Sequence, residues 1–135
     1  MKIKSIKIYT DGGSRGNPGP SATGYVISNN GNVLEEGGRY LGITTNNQAE
    51  YQAMIQALEA AAKFKPAEIE CHMDSELVVK QLNGQYKMKN KELRPHFEKI
   101  KALADQYQKV TFTHVRREYN QLADAQVNII LDKNT

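Results

Sequence analysis

The 135-residue chain has a single cysteine, Cys71, so no disulfide can form within it, and a reducing compartment suits the lone thiol. No apolar run approaches the roughly 20 residues that cross a bilayer. The N-terminal MKIKSIKIYT alternates polar with apolar residues, unlike the unbroken core of a signal peptide. These absences predict a soluble, cytoplasmic protein with no membrane partner. Neither the Gly-Lys-Ser/Thr ending of a P-loop nor the Gly-x-Gly-x-x-Gly of a dinucleotide fold occurs, which argues against a nucleotide-binding enzyme built on a glycine loop. Internal repeats and low-complexity segments are absent too. Nor is there a strong excess of either charge: 18 Lys and Arg against 15 Asp and Glu give +3, which permits a polyanionic partner without requiring one.

What is present suits one domain spanning 1–135, long enough for a single core. The pattern Ile6, Ile8, Thr10 predicts a strand ending at Asp11, and DGGSRGNPGPSATG then reads as a loop. Strands follow from about Ala22 to Ser28 and Val33 to Tyr40, joined by an Asn30-Gly31 hairpin turn. Tyr51, Met54, Ile55, Leu58, Ala61 and Ala62 share one helical face in a segment closed by Pro66. A strand at 69–73, a short helix capped by Asp74-Ser75, a helix from about Lys91 to Tyr107, a strand at 110–115 and a closing helix capped by Asn120 complete the chain. The order βββαβααβα predicts an α/β protein: a mixed five-stranded sheet, three antiparallel strands then two parallel ones, flanked by helices. Ligands in such sheets collect beyond the carboxyl ends of the strands.

Four acids, Asp11, Glu50, Asp74 and Asp124, stand at strand ends or helix starts. Taken singly, Glu50 and Asp74 suit ordinary helix-start positions, where the helix dipole favours negative charge. Gathered together, like charges raise one another's pKa unless a cation neutralises them. Magnesium or manganese is the simplest neutraliser, which points to metal-dependent phosphodiester chemistry.

Asp-Gly-Gly-Ser-x-Gly-Asn-Pro-Gly-Pro at 11–20, Thr-Thr-Asn-Asn-Gln-Ala-Glu at 44–50, Met-Asp-Ser at 73–75 and Asn-x-x-Ala-Asp at 120–124 together resemble the ribonuclease H family, type 1, from Ile8 to about Leu131. The resemblance implies the ribonuclease H-like fold and an endonuclease that cuts the RNA strand of an RNA–DNA hybrid, leaving 5′-phosphate and 3′-hydroxyl ends. It implies that Asp11, Glu50, Asp74 and Asp124 hold two Mg2+ or Mn2+ ions about 3.5–4 Å apart. Asp11 would bridge both, with Glu50 and Asp74 on one and Asp124 on the other. Near Asp124 the sequence departs from the family, with Gln126 and Val127 where Leu-Ala is usual.

By the same resemblance Gly12 and the backbone of Ser14, Arg15 and Gly16, with Asn17, Asn46 and Glu50, would meet 2′-hydroxyls of the RNA. Asn47 and Gln48 would reach the minor groove. Asn46 or Asn47 equally suits a helix cap. Thr45 and Asn90 fall where the family holds a phosphate of the DNA strand, whereas Ile43 replaces an arginine some members add there. Tyr86 suits either stacking on a DNA sugar or pinning its loop.

The chain has no Trp and only a short Gln85–Asn90 connection, so the tryptophan-rich basic protrusion of some relatives is missing. Seven Lys and Arg against two Glu between Lys80 and Lys101 offer a weaker phosphate grip, or simply a solvated helix face. The mobile histidine that many relatives place before the last helix is also missing, His114 still being on the strand. Arg116, Arg117 or Glu118 would take over part of its role. Glu76, near Asp74, either tunes metal affinity or points to water. A domain this small is expected to be a monomer. The competing reading is a module of the same fold that binds hybrids or double-stranded RNA without cutting; four intact acids argue against it, because bare carboxylates repel polyanions.

Overall fold

The computed structural model describes residues 3–135, so Met1 and Lys2 of the alternating N-terminal stretch lie outside the described residues. Its sheet is built from β1 (Ser5–Ser14), β2 (Gly19–Asn29), β3 (Asn32–Gly37), β4 (Tyr40–Thr44), β5 (Glu68–Met73) and β6 (Lys109–His114). The helices are α1 (Asn46–Ala61), α2 (Glu76–Leu82), α3 (Arg94–Ala104) and α4 (Gln121–Asn134). The strand order is β3-β2-β1-β5-β6, with β1–β2–β3 antiparallel and β1–β5–β6 parallel.

The mixed sheet flanked by helices is the expected one, with a sixth strand inserted. β2 is long enough to pair with β3 along Tyr25–Asn29 and with β4 along Gly19–Ala22, so the two short strands share one edge position. The break between them falls at Gly38, where a Cβ would lie 2.1 Å from the Thr23 carbonyl oxygen. Two glycines so close together disguise the start of β4 in the sequence. At the other end of β3, Asn30 and Gly31 both adopt positive φ (50° and 82°), the geometry of the tight hairpin turn that Asn-Gly predicts.

A second difference decides where the site forms. Residues 11–14 are not loop: β1 continues past Asp11, pairing Asp11 with Gly24 and Ser14 with Ser21. Its parallel partner β5 stops earlier, at Thr10 opposite Met73. Asp11 therefore sits on an antiparallel ribbon that projects beyond the parallel half of the sheet, alongside the chain leaving β5 at Asp74.

On one face Ile6 and Ile8 of β1 and Ile69, Cys71 and Met73 of β5 pack under Tyr51, Met54 and Leu58 of α1 and Ile100 of α3. Each such side chain contributes roughly 1.5–3 kcal/mol by leaving water. On the other face α4 lays Val127 and Leu131 against Ala22 of β2. Lysine-rich α3 begins at Arg94 instead of Lys91, because Asn90 Oδ1 takes the amides of Glu92 and Leu93 (2.8 and 3.2 Å) into a preceding turn. No helix among the described residues is long and apolar enough to cross a membrane.

Candidate active site

Each acid is delivered by a different element. Asp11 lies in β1, Glu50 in the second turn of α1, Asp74 between β5 and the Ser75 cap of α2, and Asp124 in the first turn of α4. Thr45 starts α1 by accepting the Gln48 amide at 3.2 Å; neither Asn46 nor Asn47 caps that helix. Glu50 is drawn onto β1 by the Gly12 amide, which donates to its Oε1 at 2.7 Å. That approach depends on Gly12, since a Cβ there would lie 2.2 Å from the Ala49 carbonyl carbon and 2.3 Å from the Glu50 nitrogen.

Asp11, Glu50 and Asp74 each offer a carboxylate oxygen within 4.8 Å of the others. Asp124 lies outside that mutual set; its Oδ2 accepts from Asn128 Nδ2 at 3.4 Å, and its carboxyl lines the same cavity near enough to help raise Asp11. Burial, then the charge of Asp74, then the carboxyl of Asp124 raise Asp11 to about 8, against the Gly12 amide, which lowers it. Burial and the charges of Asp11 and Asp74 push Glu50 well up in the same way. Asp74 is raised by burial, while the Asn120 side chain and the Arg117 charge oppose the rise. Three acids that resist ionising together are what a hard divalent cation stabilises, and oxygen donors at this spacing are the ligands it takes. The residues present thus fit a metal.

Around the cluster a cavity of about 470 Å³ is also lined by Gly12, Ser14, Arg15, Asn46, Asn47 and Arg117. The wall formed by Val127, Asn128 and Leu131 of α4 was not anticipated, although these residues follow Asp124 at helical spacing. Of the three auxiliary candidates before α4, Arg117 faces this cavity, whereas Glu118 lines a separate groove on the sheet. Arg116 is exposed and lies 3.8 Å from Glu118.

The remaining expected contacts fall around the rim. Ser14 donates its amide to Asn46 Oδ1 (3.0 Å), and Asn46 donates its own to Asn17 Oδ1 (3.1 Å). The loop across Gly16 is closed by Arg15 N donating to the Pro20 carbonyl at 2.8 Å. Arg15 reaches the end of α4, with Asp132 at 2.6 Å and Thr135 Oγ1 at 3.2 Å. Gln48 accepts from Thr44 and donates to Glu92 (3.1 and 3.3 Å). Tyr86, 48% exposed, is held by Lys80, whose Nζ lies 5.2 Å from the ring centroid and 3.4 Å from Oη. Lys80 is in turn 2.9 Å from Glu76, so the extra carboxylate turns outward to a lysine instead of into the cluster. His114 is exposed on β6, as its position before Val115 implied.

Asn120 was expected to cap α4, and its side chain does not. It is 1% exposed and donates Nδ2 to the Thr10 carbonyl at 2.8 Å, tying the start of α4 to β1 beside Asp11. A cap motif in sequence specifies a short polar side chain at a helix start; what that side chain bonds depends on the strand folded beneath it.

Comparison with known proteins agrees with this geometry. Residues 9–129 match the family described as Reverse transcriptase-like. Over 128 residues the chain is 46% identical to a Ribonuclease HI of Halobacterium salinarum, covering 94% of this chain and 64% of that protein. It is 39% identical over 129 residues to the Bifunctional protein Rv2228c of Mycobacterium tuberculosis, covering 94% of this chain; it spans only 35% of that protein's length. The crystal structure of LC11-RNase H1 in complex with an RNA/DNA hybrid superposes with a TM-score of 0.92 at 46% identity, covering 96% of this chain and 98% of that one. With this fold, this order of acids and these relatives, the chain belongs to the ribonuclease H family, type 1.

Proposed function

We propose that the chain is an endonuclease that hydrolyses the RNA strand of RNA–DNA hybrids, with residues 1–135 acting as one catalytic domain. The observation that carries this reading is the convergence of Asp11, Glu50 and Asp74 oxygens within 4.8 Å, with Asp124 on the lining of the same cavity. These four residues would hold two Mg2+ or Mn2+ ions, Asp11 contributing to both. When bound, the ions supply a nucleophile at neutral pH and stabilise the charge gathering on the departing sugar oxygen, which leaves 5′-phosphate and 3′-hydroxyl ends.

The protein's share of the work is orientation. The Gly12 amide fixes Glu50, Asn120 ties the turn carrying Asp124 to β1, and Arg117 brings positive charge to the Asp74 side of the cavity. At the rim, Asn17 and Asn46 spend their side-chain oxygens on backbone amides. Their amide NH2 groups remain as donors for 2′-hydroxyls of the RNA strand. Tyr86, Lys87, Lys89, Asn90 and Lys91 are all exposed, a basic segment suited to the phosphates of the DNA strand. A monomer in the cytoplasm agrees with the single buried, reduced thiol of Cys71.

The test is cleavage of a labelled hybrid with and without Mg2+ or Mn2+, beside matched DNA, RNA and single-ribonucleotide duplexes. Cleavage should require the cation, favour the hybrid and disappear in Asp11→Asn, with the fold kept by circular dichroism. An Asp11→Asn variant that cuts as fast as the parent overturns the mechanism.

A further inference from the structure

The triangle of Asp11, Glu50 and Asp74 has three sides, and two have visible ties. Glu50 is bonded to β1 through the Gly12 amide at 2.7 Å, one residue from Asp11. Asp74 follows directly on the β1–β5 ladder, whose last pair is Thr10 with Met73. The third side, Glu50 to Asp74, joins two groups of like charge. No direct hydrogen bond between them is seen among the described residues.

Behind that open side lies a buried polar contact. Tyr51, next to Glu50 in α1, is 0% exposed within a core of Ile, Leu, Val and Met side chains. Its hydroxyl donates to Gln81 Oε1 of α2 at 2.5 Å. A hydroxyl left unpartnered in such surroundings costs roughly 1–3 kcal/mol, so the bond strongly favours one separation of the two helices. α2 has only seven residues and, taken alone, is too short to hold its own position. Elsewhere it is tied from its C-terminal end, where Asn83 Nδ2 donates to the Phe112 carbonyl at 3.0 Å and Lys101 Nζ to that of Leu82 at 2.9 Å. Neither of these bonds reaches α1. Among the described residues the Tyr51–Gln81 bond is the one side-chain hydrogen bond from α1 to α2. It links the helix that carries Glu50 to the helix that Asp74 leads into.

We propose that Tyr51 and Gln81 are positioning residues: their hydrogen bond is a strut that sets the Glu50–Asp74 spacing and thereby the affinity of the acid cluster for a divalent cation. This rests on the reading of the cluster as a cation site. Tyr51→Phe removes the hydroxyl and keeps the ring. Tyr51→Phe/Gln81→Met replaces the polar pair by an apolar pair of similar volume, an exchange that is close to neutral for folding. A merely structural pair predicts that the double variant recovers both stability and cation binding. A strut predicts that stability returns and affinity does not, because apolar contact lacks the direction of a hydrogen bond.

The readout is Mn2+ binding to the metal-free protein by calorimetry, beside thermal unfolding without metal. Removing groups that directly orient metal ligands typically costs 10–100-fold in affinity. This strut acts one step further out, so a loss of roughly 3- to 10-fold is expected in both variants. The Mg2+ concentration giving half-maximal cleavage should rise in parallel while KM for the hybrid stays put. Parent-like Mn2+ affinity in the double variant overturns the strut even if Tyr51→Phe is too unstable to measure. Asp11→Asn, run alongside, separates the two ideas: if it too binds Mn2+ like the parent, the cluster is not the cation site at all.

Discussion

Changing Gly12 to alanine adds one methyl group, and the structure fixes where it must go. The new carbon would lie 2.2 Å from the Ala49 carbonyl carbon, 2.3 Å from the Glu50 nitrogen and 2.4 Å from the Ala49 oxygen. All three are backbone atoms, so no side-chain rotation relieves the overlap; β1 and α1 must separate by about 1 Å or more to restore van der Waals contact. Overpacking of this kind costs typically 1–3 kcal/mol, and separation also breaks the 2.7 Å bond from the Gly12 amide to Glu50, worth about 0.5–1.5 kcal/mol. Together these give about 1.5–4.5 kcal/mol, a large share of the 5–15 kcal/mol that a domain of this size has.

At a few degrees per kcal/mol the melting temperature should drop by roughly 5–20 °C. Because a 1 Å misplacement can cost about 100-fold in rate, hybrid cleavage measured well below the new melting point should fall at least that far. Gly31→Ala is the control. Its φ of 82° carries backbone strain, but nothing lies within 4 Å of the added carbon. It should lose about 1 kcal/mol and no activity. A Gly12→Ala protein that melts within about 3 °C of the parent and cuts at the parent rate would refute the reasoning.

Two further outcomes follow from the charges. Folded Asp11 holds its proton up to about 8 while an unfolded aspartate loses it near 3.8, so between these values the native state binds more protons and stability falls as pH rises. In chelator, the melting temperature should therefore drop from pH 5 to pH 8; Asp11→Asn should flatten the slope, and divalent cation should restore the parent at pH 8. An equal slope in parent and variant by differential scanning calorimetry would remove Asp11 as the cause. Changing Lys87, Lys89 and Lys91 together to Ala should raise KM for the hybrid severalfold with little change in kcat and make log KM less steep in log salt, each lost phosphate contact removing about 0.7–0.9 from the slope. An unchanged salt slope takes this segment out of the substrate path.

The acids and the elements carrying them were legible because each rests on local chemistry: a period-two run into Asp11, an Asp-Ser cap, a helical stripe after Thr45. Features set by what packs from outside were not. Asn-Gly announced its turn, but nothing local distinguishes Gly12-Gly13 in a strand from Gly12-Gly13 in a loop. The difference is made by β2 pairing across to Ser21–Gly24 and by α1 pressing on Gly12. β4 was hidden because Gly38 interrupts the chain just before it and Gly42 dilutes its β-propensity, while pairing with the free half of β2 stabilises it. Tyr51 read as one more member of an apolar stripe; its hydroxyl acquires a role only when α2 brings Gln81 opposite.

The two helices that carry Glu50 and Asp124 each touch the β1–β2 ribbon at a glycine. α1 rests on Gly12, and α4 rests on Gly24, where an added carbon would lie 2.3 Å from the Ala123 carbonyl oxygen, one residue before Asp124. Gly24 is also the cross-strand partner of Asp11. Glycine-deep contact thus occurs from both faces of the sheet at two adjacent rungs, Asp11–Gly24 and Gly12–Thr23. Side chains at 12 and 24 would hold each helix away by about the thickness of a methyl group and open the cluster. Like charges alone would drive the acids apart, so burial of Met54 and Leu58 of α1 and of Val127 and Leu131 of α4 against the sheet must hold the helices in place. The hydrophobic core and the acidic cavity are therefore mechanically one system, which is why a core hydrogen bond such as Tyr51–Gln81 can matter to a cation that never touches it.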